Sequence, residues 1–366
     1  MRYLFVLLLV FHGLIHLMGF VKAFKWAEMS QLTQPISKGI GIVWLVSALL
    51  FLLAALLYFS QKDYWWMAGA LAVLFSQWLI LSSWQDAKMG TIANALILLG
   101  LLAGFGTWNF SRGYKTDIQQ GLNTVSGRTP ALLTEADLMS LPTPVQRYLR
   151  YSGVVGKPKV THFKVCFDGK IRKNEQSEWM PFTSEQFNFM EPASRCFLMK
   201  ATMKGLPVGG YHKFDNSGAF MDIRLFSLVP VQYQGNKEMQ VAETVTFFND
   251  MCCMAPATLI DQRIQWLETA GNNVKATFTN QGITITAWLY FNDQGQLINF
   301  TSEDRFAAGE DQIMRQIPWS TPLQNYQSIH EGQHPGYAET IYHYPEGQLC
   351  YGTFQLTGLA YNPTSK

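Results

Sequence analysis

Two acidic residues in an apolar segment are the side chains in this sequence best placed to do chemistry. Residues 243–261 read ETVTFFNDMCCMAPATLID, with few polar residues between Glu243 and Asp250. Helical geometry brings residues seven apart onto one face. A helix that is apolar on all sides is buried, and Pro256 should end it because proline lacks the N–H that the helix needs. The segment therefore predicts a buried helix with both carboxylates on one face.

Buried carboxylates must be paired with cations or neutralised. The candidate partners are Arg195, Arg263 and Arg305, with Arg305 as the first choice for Asp250. Three readings stay open: an ion-pair network that fixes the helix, a polar floor of a ligand cavity, or a hydrolytic carboxylate pair. No nucleophile or metal motif supports the third. The predicted ligand-binding set is Glu243, Asn249, Asp250, Trp266, Glu303, Asp304 and Arg305.

Two histidines near the start of the chain share one helix face. His12 and His16 are four residues apart inside the first apolar run. Two imidazoles one turn apart could bind a metal or a haem iron, and polar groups within a membrane span often have a role. Alternatively, neutral imidazoles hold helices together by hydrogen bonds. The candidate partners are Ser47, Ser76, Gln77 and backbone carbonyls.

A second histidine pair lies in the sequence HEGQH, from His330 to His334. Its letters match the zinc-peptidase motif, which works only on a helix, where both histidines face one way. Gly332 and the following Pro335 predict a loop instead. We expect no cofactor, and the metal candidates that remain are His12 and His16.

Four long apolar runs precede residue 111. The last three contain no charged residue, and each is long enough to cross a hydrocarbon core of ~30 Å. Short connections favour antiparallel neighbours and a four-helix bundle. Residues 1–110 therefore predict a multi-pass domain of a bacterial inner membrane, with the lipid bilayer as partner. The runs are Tyr3–Phe24, Gly39–Phe59, Tyr64–Trp84 and Thr91–Phe110.

Charge and cysteine content narrow the function classes. Residues 1–110 hold six basic and three acidic residues, which leaves 22 of the chain's 28 basic and 23 of its 26 acidic residues for the remainder. Neither part has the basic excess expected of a nucleic-acid binder. The basic residues that flank the spans divide evenly between the two sides, but Lys22 and Lys25 against Arg2 favour an extracytoplasmic soluble domain. Five cysteines without paired spacing predict free thiols, which instead favours a reducing compartment for the soluble domain.

Residues 134–366 predict a β-rich domain, joined to the spans by a polar linker over 111–133. The turns FDNSGAF, TNQGIT and FNDQGQL are hairpin signals between apolar runs. About a dozen consecutive antiparallel strands must curl or close. We therefore predict a half-barrel or barrel-like sheet with an internal helix near 241–261. The expected inner face carries Phe187, Phe189, Phe197, Met199, Trp288, Tyr290 and Phe300.

Several segments together resemble an uncharacterised bacterial membrane-protein domain family. They are LPTPVQRYLRYSG, ETVTFFNDMCCMAPATLID, QWLETA, FNDQGQLINFTSEDR and the tail from PWSTPLQNYQ to LTGLAYN. The resemblance covers residues ~135–362 and implies no activity or catalytic residue. More distantly, the meander with an internal helix resembles the half-barrels of bacterial lipoprotein carriers. The four spans are similar to small four-helix membrane proteins associated with quinone oxidoreductases.

These observations predict a non-enzymatic, membrane-tethered domain that binds an apolar or lipid-like ligand. One alternative is a scaffold that binds a membrane-protein partner. The other is a metal- or haem-dependent membrane enzyme. Nucleic acid is not expected as a partner.

Overall fold

The chain divides into a helical unit that ends at Arg112 and a β-rich unit that begins at Gly113. The structure is a computed structural model that describes residues 2–127, 129–309, 311, 313–329 and 332–365. Each unit has its own apolar core.

The helical unit contains the four apolar helices expected from the sequence. Four helices in the described part of the chain are long and apolar enough to cross a membrane. Small residues let them approach closely: a Cβ on Gly19 would lie 2.1 Å from the ring of Trp44. The helices are α1 (Arg2–Ala23), α2 (Lys38–Phe59), α3 (Trp65–Ser82), the short α4 (Trp84–Ala87) and α5 (Gly90–Val125).

The expected polar linker is partly helical. Helix α5 continues to Val125, beyond the predicted end of the fourth apolar run. From Gly113 onward this helix buries one side chain about every turn, which gives it an apolar stripe. The stripe covers strands of the β-rich unit, and Tyr114 donates a hydrogen bond of 2.9 Å to Glu185. The buried side chains are Tyr114, Ile118, Leu122 and Val125.

The β-rich unit is one open antiparallel sheet with helices on it. Its helices are α6 (Glu135–Leu138), α7 (Thr143–Tyr151), α8 (Lys237–Met254) and a 3-10 helix (Pro256–Ile260). Its strands are β1 (His162–Ile171), β2 (Met180–Met190), β3 (Ala193–Met203), β4 (Leu206–Asp215), β5 (Gly218–Leu225), β6 (Val229–Gln234), β7 (Ile264–Ala270), β8 (Asn273–Asn280), β9 (Ile283–Phe291), β10 (Leu297–Ser302), β11 (Phe306–Ala308), β12 (Met314–Gln316), β13 (Trp319–Ile329), β14 (Gly332–Tyr344) and β15 (Gly347–Tyr361).

Among the described residues, thirteen strands form this sheet in the order β6-β5-β4-β3-β2-β1-β15-β14-β13-β10-β9-β8-β7, and β11 pairs with β12 alone. The edge strands β6 and β7 are consecutive in sequence, and α8 connects them. Helix α8 contacts both β5 and β9, which lie nine strand spacings apart in the sheet. In a flat sheet that separation would be about 43 Å, far more than a helix diameter of about 10–12 Å. The sheet therefore curls around α8, as predicted.

The strand register corrects part of the predicted inner face. Asn188 pairs with Arg195, and Cys196 pairs with Phe187. Since Phe197 lines the α8 side of the sheet, Phe187 and Phe189 lie on the opposite face. Phe189 packs there against Gly121 of α5. In β9 the buried positions are Ile285, Ala287, Leu289 and Phe291, so the expectation was also wrong for Trp288 and Tyr290.

Candidate ligand cavity beneath helix α8

A cavity of about 310 Å³ lies between α8 and the inner face of the sheet. This is near the lower end of the range for small-molecule sites, about 300–1,000 Å³. Its walls are mostly apolar, as in such sites. The larger apolar side chains are Phe167, Phe197, Met199, Met221, Met239, Met254, Phe306, Met314, Trp319, Leu323, Tyr342, Tyr351 and Phe354.

Part of the cavity wall is a charged network centred on Arg195. The Arg195 guanidinium lies 3.0 Å from Oε2 of Glu243 and 2.8 Å from Oδ2 of Asp250. Its Nη2 donates to Gln186 at 2.9 Å. Gln186 and Asn188 donate to the same Asp250 oxygen at 2.8 and 3.1 Å. We call these five residues the Arg195 cluster; it confirms that Glu243 and Asp250 share a helix face, but Arg305 was the wrong first-choice partner.

Two carboxylates share one arginine in this cluster, and this drives their pKa values apart. Burial alone would raise the pKa of Glu243, but the charge of Arg195 and the imidazole of His212 outweigh it and lower the pKa to about 2. His212 Nδ1 lies 3.7 Å from Oε1 of Glu243. Burial raises the pKa of Asp250, and the negative charge of Glu243 adds to this against the opposing Arg195. Paired charges of this kind are also common in purely structural networks.

Arg305 also lines the cavity, in a different environment. Its Nη1 donates to the carbonyl of Ala242 at 2.5 Å and to the hydroxyl of Thr246. Its guanidinium carbon lies 4.8 Å from the ring centroid of Trp319, which is a cation–π arrangement. Within the described part of the chain, no carboxylate lies within 4.0 Å of this guanidinium. Arg305 therefore connects helix and sheet, and the carboxylate of Glu243 acts on it only from beyond ion-pair distance.

The structure separates the predicted ligand-binding set into two groups. Four members line the cavity: Glu243, Asn249, Asp250 and Arg305. The other three do not. Trp266 packs half-buried on the core from β7, Glu303 is exposed, and Asp304 accepts a hydrogen bond of 2.6 Å from the Thr286 amide.

Sequence reasoning named Arg195 as one candidate partner of the carboxylates but did not include it in the ligand-binding set, and it missed Gln186 and Asn188. The signal for Arg195 was present, because strand alternation places it on the same face as Phe197 and Met199. Gln186 pairs with Phe197 in the register, so it faces the same side. The positions of Gln186 and Asn188 follow from the pairing of β2 with β3. The pattern of residues within one strand does not predict this pairing.

The histidines of the helical unit form a buried hydrogen-bond network. His16 Nδ1 lies 2.8 Å from the His12 carbonyl, so it donates, and its Nε2 accepts from Ser76 at 2.9 Å. His12 Nε2 lies 2.9 Å from Oδ1 of Asn94, and Asn94 donates to Ser76 at 3.0 Å. We call His12, His16, Ser76 and Asn94 the Ser76 network. It ties α1, α3 and α5 together and engages both Nε2 atoms, which supports the packing alternative.

The HEGQH sequence falls partly outside the described residues, because His330 and Glu331 are not among them. His334 is buried in β14, which begins at Gly332. This stretch is therefore strand, where a loop was expected, and it lacks the helix that the zinc motif needs. No group of three or more metal-ligating side chains occurs in the ranges that the structure describes. All five cysteines are free, as predicted.

Three solved structures are similar to the chain. A LolA superfamily protein from Nitrosomonas europaea has 8% identity and a TM-score of 0.35, over 63% of this chain and 94% of that one. A DUF1329 family protein from Desulfovibrio piger has 9% identity and a TM-score of 0.34, over 60% and 91%. A beta-barrel-like protein of domain of unknown function DUF1849 from Brucella abortus has 8% identity and a TM-score of 0.18, over 56% and 98%. These match the expected distant likeness, but with such TM-scores they support no statement about function.

No curated protein matches the chain. Residues 131–354 match a family of unknown function, DUF6544. The match covers more than half of the sequence and includes α8 and the strands that line the cavity. The chain belongs to the DUF6544 family.

Proposed function

We propose that this protein is a membrane-anchored binding protein that holds an apolar or lipid-like ligand in the cavity beneath α8. The observation that carries the proposal is the cavity itself, because well-packed cores leave few voids larger than a water molecule. A volume of about 310 Å³ with aromatic and methionine walls is typical of a ligand site.

The polar groups of the cavity support binding rather than hydrolysis. In the Arg195 cluster both carboxylates accept hydrogen bonds from Arg195, and Asp250 has two more donors in Gln186 and Asn188. Such a network fixes α8 to the sheet and forms a polar part of the cavity floor. The rest of the wall is then available to an apolar chain.

The four helices supply the membrane setting of the proposal. They are long and apolar enough to cross a bilayer, and we place them in a bacterial inner membrane with the β-rich domain on the extracytoplasmic side. In this arrangement residues 1–110 anchor the protein, 134–366 bind the ligand, and 111–133 join the two. A bilayer would then be a nearby source of ligand.

Photo-cross-linking tests the proposal with the full chain in lipid nanodiscs. An uncharged long-chain alcohol that carries a diazirine is added, irradiated and mapped by mass spectrometry. We expect adducts on cavity residues such as Met199, Met221 and Met239, in addition to adducts on the helices. Adducts on the helices alone would contradict the proposal.

A cavity-filling variant provides the matched control. Ala338 lines the cavity between its strand neighbours Leu323 and Phe354, so Ala338→Phe should fill the space. We expect it to abolish the cavity adducts, leave those on the helices unchanged and preserve the melting temperature. Ala276→Phe, at a fully buried core position outside the cavity, should instead destabilise the fold by about 1–3 kcal/mol through overpacking.

A further inference from the structure

We infer that the ligand is a single-chain amphiphile with an anionic head group, a carboxylate or a phosphate, and that Arg305 binds this group. The inference rests on the proposed function and adds the chemical class of the ligand. It is carried by the buried Nε of this guanidinium, which has no hydrogen-bond partner, and by the lack of a carboxylate contact to Arg305 among the described residues.

The hydrogen bonds of Arg305 leave Nε of its guanidinium without a partner. Ala242 and Thr246 are bound through Nη1. Nε is buried and has no hydrogen-bond partner, and the neutral hydroxyls of Tyr342 and Tyr351 interact with the guanidinium. Nε and Nη2 form the planar fork that matches two oxygens of a carboxylate or phosphate.

Three other arginines show what this fork does elsewhere in the same protein. Arg263 binds Asp261 through Nε at 3.0 Å and Nη2 at 2.6 Å. Arg224 holds Asp222 and Arg150 holds Glu135 through the same two atoms. Each of these three arginines thus binds a carboxylate of the protein itself. Arg305 has the same edge inside an apolar cavity, where an uncompensated charge is costly, and an anion from outside would complete it.

Neighbouring groups add hydrogen-bond donors on the same wall. Thr321 lines the cavity, and its buried hydroxyl has no hydrogen-bond partner. Strand alternation places it on the same face as Trp319, the ring on which Arg305 stacks. Trp319 Nε1 donates to the Tyr351 hydroxyl at 3.2 Å, which leaves the Tyr351 O–H free to donate in turn. An anion at Arg305 would therefore have hydroxyl donors close by.

Arg195, the other buried arginine near α8, is unsuited to bind the head group. Arg195 already meets Glu243 and Asp250, so two negative charges share one cation. This difference favours Arg305 over Arg195 as the partner of the anion. The volume of about 310 Å³, at the small end for ligand sites, favours one apolar chain over the two of a phospholipid.

Competition for the cavity adducts tests the inference. The uncharged photo-probe is cross-linked to the full chain in zwitterionic nanodiscs with palmitate, hexadecyl phosphate or hexadecanol as competitor, at matched bilayer concentrations. We expect both anions to compete about 10- to 100-fold better than hexadecanol, as one or two charge-assisted hydrogen bonds would give. Palmitate and hexadecyl phosphate together distinguish a carboxylate from a phosphate ligand.

Two variants distinguish binding of the anion by Arg305 from a general effect of positive charge in the cavity. Arg305→Gln should remove the preference for anions and leave competition by hexadecanol unchanged. Arg172→Gln is the matched control, since Arg172 also lines the cavity but donates through Nε to the carbonyl of Cys350 at 2.8 Å. It should keep the preference.

The possible results test the inference about Arg305 separately from the proposed function of the cavity. Equal competition by anions and hexadecanol, or an undiminished preference in Arg305→Gln, would overturn the inference while the cavity adducts still support an apolar site. Failure of all three competitors to reduce the adducts would overturn the proposed function as well. If Arg305→Gln does not fold, the ratio of competition by the anions to competition by hexadecanol in the unmodified protein still tests whether the cavity prefers an anionic head group.

Discussion

The molecule contains two buried polar groups of residues that differ in charge. The Ser76 network of the helical unit is neutral and consists of hydrogen bonds among side chains on three helices. The Arg195 cluster of the β-rich unit holds one arginine and two carboxylates around an apolar cavity. A neutral hydrogen bond within a membrane contributes about 0.6 kcal/mol on average, whereas breaking a buried ion pair costs about 3–5 kcal/mol. Comparison of the two regions therefore shows how much more a buried ion pair contributes to stability than a neutral hydrogen bond.

The largest effect is expected from Arg195→Met. This change leaves Glu243 and Asp250 buried without their cation, at a cost of about 3–5 kcal/mol. For a unit of this size the melting temperature should fall by about 6–20 °C, measured by circular dichroism of the strand signal. Adding Glu243→Gln and Asp250→Asn should restore part of the loss, because residues in one network are not additive. A single variant that melts within about 2 °C of the unmodified protein would show that the cluster contributes little.

A smaller effect is expected from Ser76→Ala in the helical unit. The change removes the acceptor of Asn94 and the donor to His16, at about 0.6–1.7 kcal/mol. The measurement is the thermal loss of helical circular dichroism in the same nanodiscs, with Ser82→Ala as control because Ser82 is exposed and bonds only its own helix at Trp78. If Ser76→Ala destabilised the protein more than Arg195→Met, the contrast between the two regions would be lost.

The smallest effect is a difference in pH dependence between the two carboxylates. The pKa of Glu243 is lowered from 4.5 to about 2, so its contribution to stability is full above pH 4.5 and is lost as the pH falls toward 2. The pKa of Asp250 is raised, so its protonation favours the folded state as the pH falls. The stability gap between the unmodified protein and Glu243→Gln should therefore narrow by about 1 kcal/mol between pH 5 and 3.5. The gap to Asp250→Asn should change with the opposite sign, and parallel curves for the two variants would contradict the shared-arginine account.

The general architecture was predictable from the sequence because it depends on patterns within single elements. Apolar run length predicted the four helices, and hairpin turns predicted the antiparallel order. The apolar character of residues 243–254 predicted the helix that the sheet surrounds. Helix α5 beyond Arg112 was missed, although Tyr114, Ile118 and Leu122 lie at helical spacing, because the surrounding residues are polar.

The site was less predictable because it depends on relations between elements. Alternation shows which residues of a strand share a face but not which face is inward, and aromatic residues occupy both faces of this sheet. Phe187 and Trp288 were therefore assigned to the wrong side. The choice of Arg195 over Arg305 as the partner of Asp250 depends on the pairing of β2 with β3 and on the position of α8 above them. Neither relation is encoded in a local pattern.

The most direct test of the central claim is a crystal structure of the full chain with a single-chain fatty acid that carries bromine at the end of its apolar chain. Anomalous scattering locates the bromine without reference to the side chains around it. We predict a bromine peak within the cavity beneath α8, among Met199, Met239 and Phe354, with the carboxylate at Arg305. A bromine peak only beside the four apolar helices, with side chains filling the space beneath α8, would contradict the account.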